Sequence, residues 1–185
     1  MRLVGGKYRG KKLWSPDGKL VRPTAERARE AVFNILYSYW QGEYENFDMA
    51  DIFAGTGAFG LEAVSRGFRS ATFVDIEPKI VQRNAELFPA EQEKFFIIKA
   101  NALNLPRLPR QFKLIFMDAP YNKGLSEKVL AELIAKNWLN DDALCIVEVQ
   151  ENEDLMLPPE LQIADIRRYG LAKILFLQKQ VKKGI

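Results

Sequence analysis

Two short segments of the sequence hold the residue types that chemistry needs: Asp51-Ile52-Phe53-Ala54-Gly55-Thr56-Gly57-Ala58-Phe59-Gly60 and Asp118-Ala119-Pro120-Tyr121. In the first, Gly55, Gly57 and Gly60 form G-x-G-x-x-G. That spacing lets the chain turn sharply, lets backbone approach a ligand, and lets a following helix pack closely on a sheet. It follows an apolar strand, Met49 to Phe53, and precedes a helix, Ala58 to Arg66. A further buried strand, Ala71 to Asp75, ends in a carboxylate twenty residues after the first glycine. An acid there accepts hydrogen bonds from both hydroxyls of a ribose. Together these residues point to a nucleotide-like cofactor; the plain alternative is a tight turn and an ordinary surface aspartate.

Asp51 helps to choose between nicotinamide dinucleotides and S-adenosylmethionine, both of which present an adenosine ribose. A carboxylate four residues before the first glycine repels a pyrophosphate but attracts sulfonium and ammonium charges. The methyl donor is favoured. The alternative for Asp51 is a strand-end carboxylate that caps nearby amides.

The second segment supplies the reaction. Lys113 to Met117 reads as a strand, after which Asp118 offers two acceptor oxygens, Ala119 a carbonyl, Pro120 a stiff turn and Tyr121 a flat ring. The lone pair of a nucleobase amine is delocalised into the ring. Acceptors that hold its hydrogens rehybridise the nitrogen toward a methyl group, and Tyr121 takes up the stacking that the base loses on leaving its neighbours. A carboxylate accepts from two adjacent donors, as on the N1–H and N2–H edge of guanine, whereas an Asn amide suits the adenine edge. Asp118 therefore favours guanine N2 over adenine N6, and a plain loop after a strand is the alternative.

Elements must position these groups. Thr24 to Trp40 has Ala28, Ala31, Val32, Ile35, Leu36 and Tyr39 on one side at helical spacing, with Thr24 as N-cap after Pro23. On its polar side Arg27, Glu30 and Asn34 either face the methionine portion of the cofactor or the substrate, or form a salt-bridged outer face. Helix Pro78 to Leu87 leads to strand Phe95 to Lys99, after which Asn101 and Ala102 stand where an adenine is contacted. Helix Ser126 to Lys136 and strand Ala143 to Val149 follow. Two last strands, Gln162 to Tyr169 and Ala172 to Gln180, are separated only by Gly170 and Leu171, which suits an antiparallel hairpin. The fold expected is α/β: a Rossmann-like three-layer αβα sandwich on a mostly parallel seven-stranded sheet whose last strand is reversed, with a small N-terminal β-hairpin.

At this point the chain resembles the RsmD-type methyltransferases of bacteria. The resemblance rests on Arg2 to Gly10, on Arg22-Pro23-Thr24 with Arg27, Arg29, Glu30 and Asn34, on Phe53 to Ala63, and on Asp118 to Tyr121. It implies S-adenosylmethionine-dependent methylation of guanine N2 in small-subunit ribosomal RNA. It also implies a class I fold with Asp118, Ala119, Pro120 and Tyr121 at the reacting amine. Thr24, Asp51, Phe53, Gly55, Thr56, Gly57, Gly60, Asp75, Ile76, Asn101, Ala102 and Asp118 are the expected cofactor contacts. One departure is plain: the family pattern D-P-P-Y or D-P-P-F reads D-A-P-Y here. Ala119 keeps the acceptor carbonyl, loses ring rigidity and regains an N–H. An adenine-N6 methyltransferase, and a non-catalytic RNA-binding module for ribosome assembly, stay open as alternatives.

Charge is informative by position. Residues 1–30 hold nine basic and three acidic side chains, and the remaining 155 hold eighteen and twenty-one, so all of the positive excess is at the front. Lys7, Tyr8, Arg9, Lys11, Lys12 and Trp14 interleave cations with rings. The flanks Arg2 to Val4 and Lys12 to Trp14 pair as a hairpin. With Arg22 and Arg27, these residues form the expected RNA-binding surface: residues 1–22 as a guiding extension on a methyltransferase domain of residues 23–185. The alternative is a solvated basic hairpin that closes the domain.

Absences narrow the mechanism. The sequence has no histidine, and no Cys or Asp cluster suggests a metal. Its lone Cys145 sits in an apolar run, which excludes a disulfide framework and reads as a strand residue rather than a nucleophile. No apolar run approaches the length of a membrane span, and no signal peptide is visible. A cytoplasmic monomer without metal, acting on ribosomal RNA or an assembling small subunit, is expected.

Overall fold

The structure, a computed structural model, describes residues 1–16, 23–120 and 124–180, and of Pro23 and Thr24 the backbone alone. Arg22, Tyr121 and the side chain of Thr24 lie outside these described parts. The elements run α1 (Pro23–Trp40), β1 (Asp48–Ile52), α2 (Ala58–Ser65), β2 (Ser70–Asp75), α3 (Lys79–Ala85), β3 (Phe95–Lys99), β4 (Phe112–Asp118), α4 (Leu125–Ala135), β5 (Leu139–Gln150), β6 (Leu161–Tyr169) and β7 (Ala172–Lys179). Nearly every boundary falls within two residues of the sequence expectation. The exception is β5, which begins four residues early at Leu139. A 3-10 helix at Pro89–Lys94, which has no apolar period to announce it, was not expected. Helix α1 starts at Pro23, so Thr24 lies inside the first turn rather than capping it; proline is favoured there because its missing N–H would be unsatisfied anyway.

The sheet order is β3-β2-β1-β4-β5-β7-β6. Strands β1 to β5 pair in parallel. The last strand, β7, is antiparallel to both β5 and β6 and lies between them. Strand order reverses between β1 and β4, and in open α/β sheets ligands bind outside the carboxyl ends of the strands at such a point. One face is covered by α1, α2 and α3, with Val32, Phe33, Leu36, Phe59, Leu61 and Val81 in the core there. The other face is covered by α4, through Val129, Leu130 and Leu133. In α1 the buried ring is Phe33; Tyr39, expected on the inner side, is half exposed and accepts a hydrogen bond from Gln178.

The N-terminal segment pairs as expected, with an antiparallel bridge between Arg2 and Lys12 and with Leu3 and Leu13 buried in the core. It is bolted to the body of the molecule by Glu62 of α2, which is fully buried. That carboxylate accepts from Val4 N at 3.2 Å, Arg29 Nε at 2.7 Å and Arg66 Nε at 2.9 Å. The Tyr8 N–H donates to Ser65 Oγ and the Lys7 N–H to the Ser65 carbonyl. Among the described residues no helix is long and apolar enough to cross a membrane.

Candidate active site

A cleft opens at the switch point. Its walls are Ala25, Ala28, Arg29 and Val32 of α1; Asp51, Phe53 and Ala54 at the end of β1; Thr56, Ala58 and Phe59 of the glycine turn; and Phe116, Asp118, Glu148 and Ile174 from β4, β5 and β7. It is open to solvent, a concave site of the kind that takes small molecules at such switch points. The sheet register aligns these groups. Asp51 pairs with Phe116 across β1 and β4, and Asp118 pairs with Glu148 across β4 and β5. On the floor the rings of Phe59 and Phe116 stack at 3.8 Å.

The glycine turn has the expected mechanics. Gly57 has φ +74°, and a Cβ there would lie 2.5 Å from Val81. At Gly60 a Cβ would lie 2.4 Å from the Phe73 ring, so only glycine lets α2 sit this close to β2. Asp75 closes the turn from the neighbouring strand: its carboxylate accepts from Gly55 N and from Glu77 N, both at 2.8 Å. Phe53 is left-handed as well, with φ +61°. For a bulky residue that costs about 1–2 kcal/mol, and the strain sits in a wall of the cleft.

The electrostatics are dominated by acids. Asp51 is buried, and its carboxylate accepts the Gly60 N–H at 3.0 Å. Burial pushes its carboxyl up to about 8; the Gly60 N–H opposes this, the charges of Asp118 and Asp75 add to it, and Arg29 opposes it. Asp118 is open to solvent at the mouth yet crowded by protein behind, and this crowding, with the charge of Glu148, pushes its carboxyl up to about 7. Among the described residues the lining guanidinium, that of Arg29, is already engaged by Glu62 and by the Arg2 carbonyl at 2.5 Å. Among the described residues, three lining carboxylates, Asp51, Asp118 and Glu148, face this occupied guanidinium, and such a wall suits a cationic ligand, since a positive charge relieves both their repulsion and their desolvation. S-adenosylmethionine fits that donor set.

Asp51, Phe53, Thr56 and Asp118 thus share the cleft, and Gly55, Gly57, Gly60 and Asp75 form the turn beside it. Ile76 follows Asp75 as a largely exposed apolar side chain, and Asn101 and Ala102 follow β3, Asn101 exposed and Ala102 buried. Ala119 is buried and Pro120 exposed. In α1 the cleft takes Arg29, whereas Arg27, Glu30 and Asn34 are exposed and do not line it. Cys145 is fully buried, and its thiol is pushed up to about 12 by burial, as suits a strand residue.

In the basic segment Lys7, Arg9, Lys11 and Lys12 are exposed, but Tyr8 is not a presented ring. It packs edge-on against Phe88, and its hydroxyl donates to Glu91 at 2.8 Å. Burial alone would raise Glu91, yet hydrogen bonds from Lys94, Lys7 and Tyr8 bring it down to about 2. Sequence reasoning missed Glu148, Ile174 and Met1 in the cleft; Glu148 and Ile174 lie outside every motif and arrive by sheet pairing, and Met1 arrives with the docked hairpin.

The family model described as Conserved hypothetical protein 95 matches residues 1–178. The protein named Ribosomal RNA small subunit methyltransferase D of Escherichia coli is 33% identical over 163 residues, covering 86% of this chain and 79% of that protein. The protein of the same name from Haemophilus influenzae is 28% identical over 177 residues, covering 92% and 90%. Among solved structures, the yhhF protein of Escherichia coli superposes with a TM-score of 0.83 at 28% identity, over 98% of this chain and 99% of that one. TrmN from Thermus thermophilus, at 18% identity and a TM-score of 0.66, shares the fold. With the glycine turn, the Asp118 segment and the reversed last strand on one class I scaffold, the chain belongs to the RsmD-type methyltransferase family.

Proposed function

We propose that this chain is an S-adenosylmethionine-dependent methyltransferase acting on the exocyclic N2 amine of a guanine in small-subunit ribosomal RNA. The observation that carries the reading is that Asp118 opens into the same acid-lined cleft as Asp51, at the switch point beside the glycine turn. The RNA substrate is supported by the name that the Escherichia coli and Haemophilus influenzae relatives bear.

When bound, S-adenosylmethionine supplies an electrophilic methyl group on a sulfonium sulfur. Asp75 would hold the ribose hydroxyls, Ile76 and the residues Asn101 and Ala102 the adenine, and Asp51, Phe53 and Thr56 the charged end. The Asp118 carboxylate accepts from N1–H and N2–H of the base, the Ala119 carbonyl accepts the second N2 hydrogen, and Asp118 takes the proton that the nitrogen gives up. Catalysis comes from alignment and from these fixed acceptors. Pro120 and Tyr121 would shape the base pocket. Residues 1–22 are assigned the role of guiding the RNA, with Lys7, Arg9, Lys11, Lys12, Arg22 and Arg27 as phosphate contacts.

Incubation with methyl-labelled S-adenosylmethionine and small-subunit particles, followed by nucleoside analysis, tests this. N2-methylguanosine is expected, and Asp118→Ala should lower the rate by about 10²–10⁴-fold while cofactor binding persists. Label in N6-methyladenosine would overturn the base assignment. Absence of label across particle states would favour a non-catalytic assembly module.

A further inference from the structure

We propose that Glu148 is a positioning residue for Asp118: standing beside it one strand over on the same wall of the cleft, its carboxylate makes Asp118 the stronger proton acceptor. The inference rests on the functional reading above for its catalytic meaning. Its physical basis is independent of that reading.

The two residues are Cα partners in the parallel pairing of β4 and β5. Adjacent strands lie about 4.8 Å apart, and paired side chains point to the same face. Both line the cleft, and so does Ile174, the partner of Glu148 on β7. Along β5 the preceding residues on this face are Leu144 and Ile146, both core residues packed under α1 and α2. An apolar side chain would continue that pattern without cost. A carboxylate set against a second carboxylate instead carries a desolvation and repulsion cost, the arrangement by which paired acids hold a proton to higher pH.

Among the described residues, the other charged groups near the cleft do not replace Glu148. Asp51, on β1, is buried and bound to Gly60 N. Arg29, on α1, is held by Glu62 and the Arg2 carbonyl. Asp75 closes the glycine turn. The proximity of Glu148 raises Asp118 in the same sense as burial does. As the amine nitrogen gains its methyl carbon, the bond from that carbon to the donor sulfur would break, its electron pair staying on sulfur as a neutral thioether, and the proton leaves the nitrogen for an Asp118 oxygen. A neighbouring negative charge favours that transfer and is repaid when the pair holds one proton between two carboxylates.

The test is a ¹³C NMR titration of the Asp118 side-chain carboxyl in the ligand-free protein, for wild type, Glu148→Gln and Glu148→Asp. The Gln variant should lower the Asp118 midpoint by about one pH unit, and the Asp variant, which keeps the charge, should restore most of it. With RNA substrate, the acid limb of the single-turnover pH profile should move in the same direction by the same amount. An Asp118 midpoint that does not differ between wild type and Glu148→Gln, with both folded, would overturn the proposal. Because the titration needs no substrate, a shifted midpoint without any methyl transfer by wild type would sink the functional reading and leave the coupling standing.

Discussion

Asp51 and Gly60 are joined by a 3.0 Å hydrogen bond from the Gly60 N–H to the Asp51 carboxylate, which ties the end of β1 to the first turn of α2. The bond stabilises a buried charge only in part, and the carboxyl remains well above its ordinary range. Folding therefore takes up a proton that the unfolded chain releases above a pH of about 4.

The sign of the resulting pH dependence follows. With a folded value of about 8 and an ordinary unfolded value, the stabilising contribution is complete below about pH 4 and is lost as pH rises through about 8. Asp51→Asn keeps an oxygen for the Gly60 N–H and removes the titration. The variant should be more stable than wild type by roughly 1–3 kcal/mol near pH 9, with the gap closing toward pH 5. Urea unfolding at several pH values measures it, and a gap that stays constant with pH would refute the assignment.

Gly60→Ala puts a methyl group 2.4 Å from the Phe73 ring. Overpacking of this kind costs about 1–3 kcal/mol. Phe73→Leu frees space at its own cost, so the double variant should be less destabilised than the two single losses added together. Simple additivity in the denaturation midpoints would place the two residues out of contact.

The exposed cations of the hairpin are expected to act on RNA through phosphates. Replacing Arg9, Lys11 and Lys12 together by Ala should reduce the slope of log affinity against log salt by about 2, at roughly 0.7–0.9 per phosphate contact. Tyr8→Phe should leave that slope unchanged and lower stability instead, because its hydroxyl serves Glu91. Filter binding over a salt series, beside thermal unfolding, separates the two effects.

Much of this arrangement is legible in the sequence, because strand runs and the G-x-G-x-x-G turn are local patterns. The reversed hairpin was legible too, since a two-residue link leaves no room for a crossover. What was not legible depends on contacts between distant segments. Arg29, not Arg27, enters the cleft because α1 docks by Phe33 and leaves Tyr39 exposed, a rotation that periodicity alone does not fix. Glu148 looks like any strand-end acid until β4 and β5 are paired. Tyr8 reads as a stacking ring because Glu91, its partner, sits 83 residues away on a 3-10 turn.

The buried Glu62 clasp gives the hairpin a meaning beyond attachment. Because one carboxylate grips the hairpin backbone, α1 and α2 together, the span from the exposed lysines to the reaction cleft is a fixed length, not the reach of a tether. On the proposed reading the protein works as a calliper: the choice of target nucleotide is a matter of distance along folded RNA, and a substrate lengthened by one nucleotide between the two points of contact would present the wrong base.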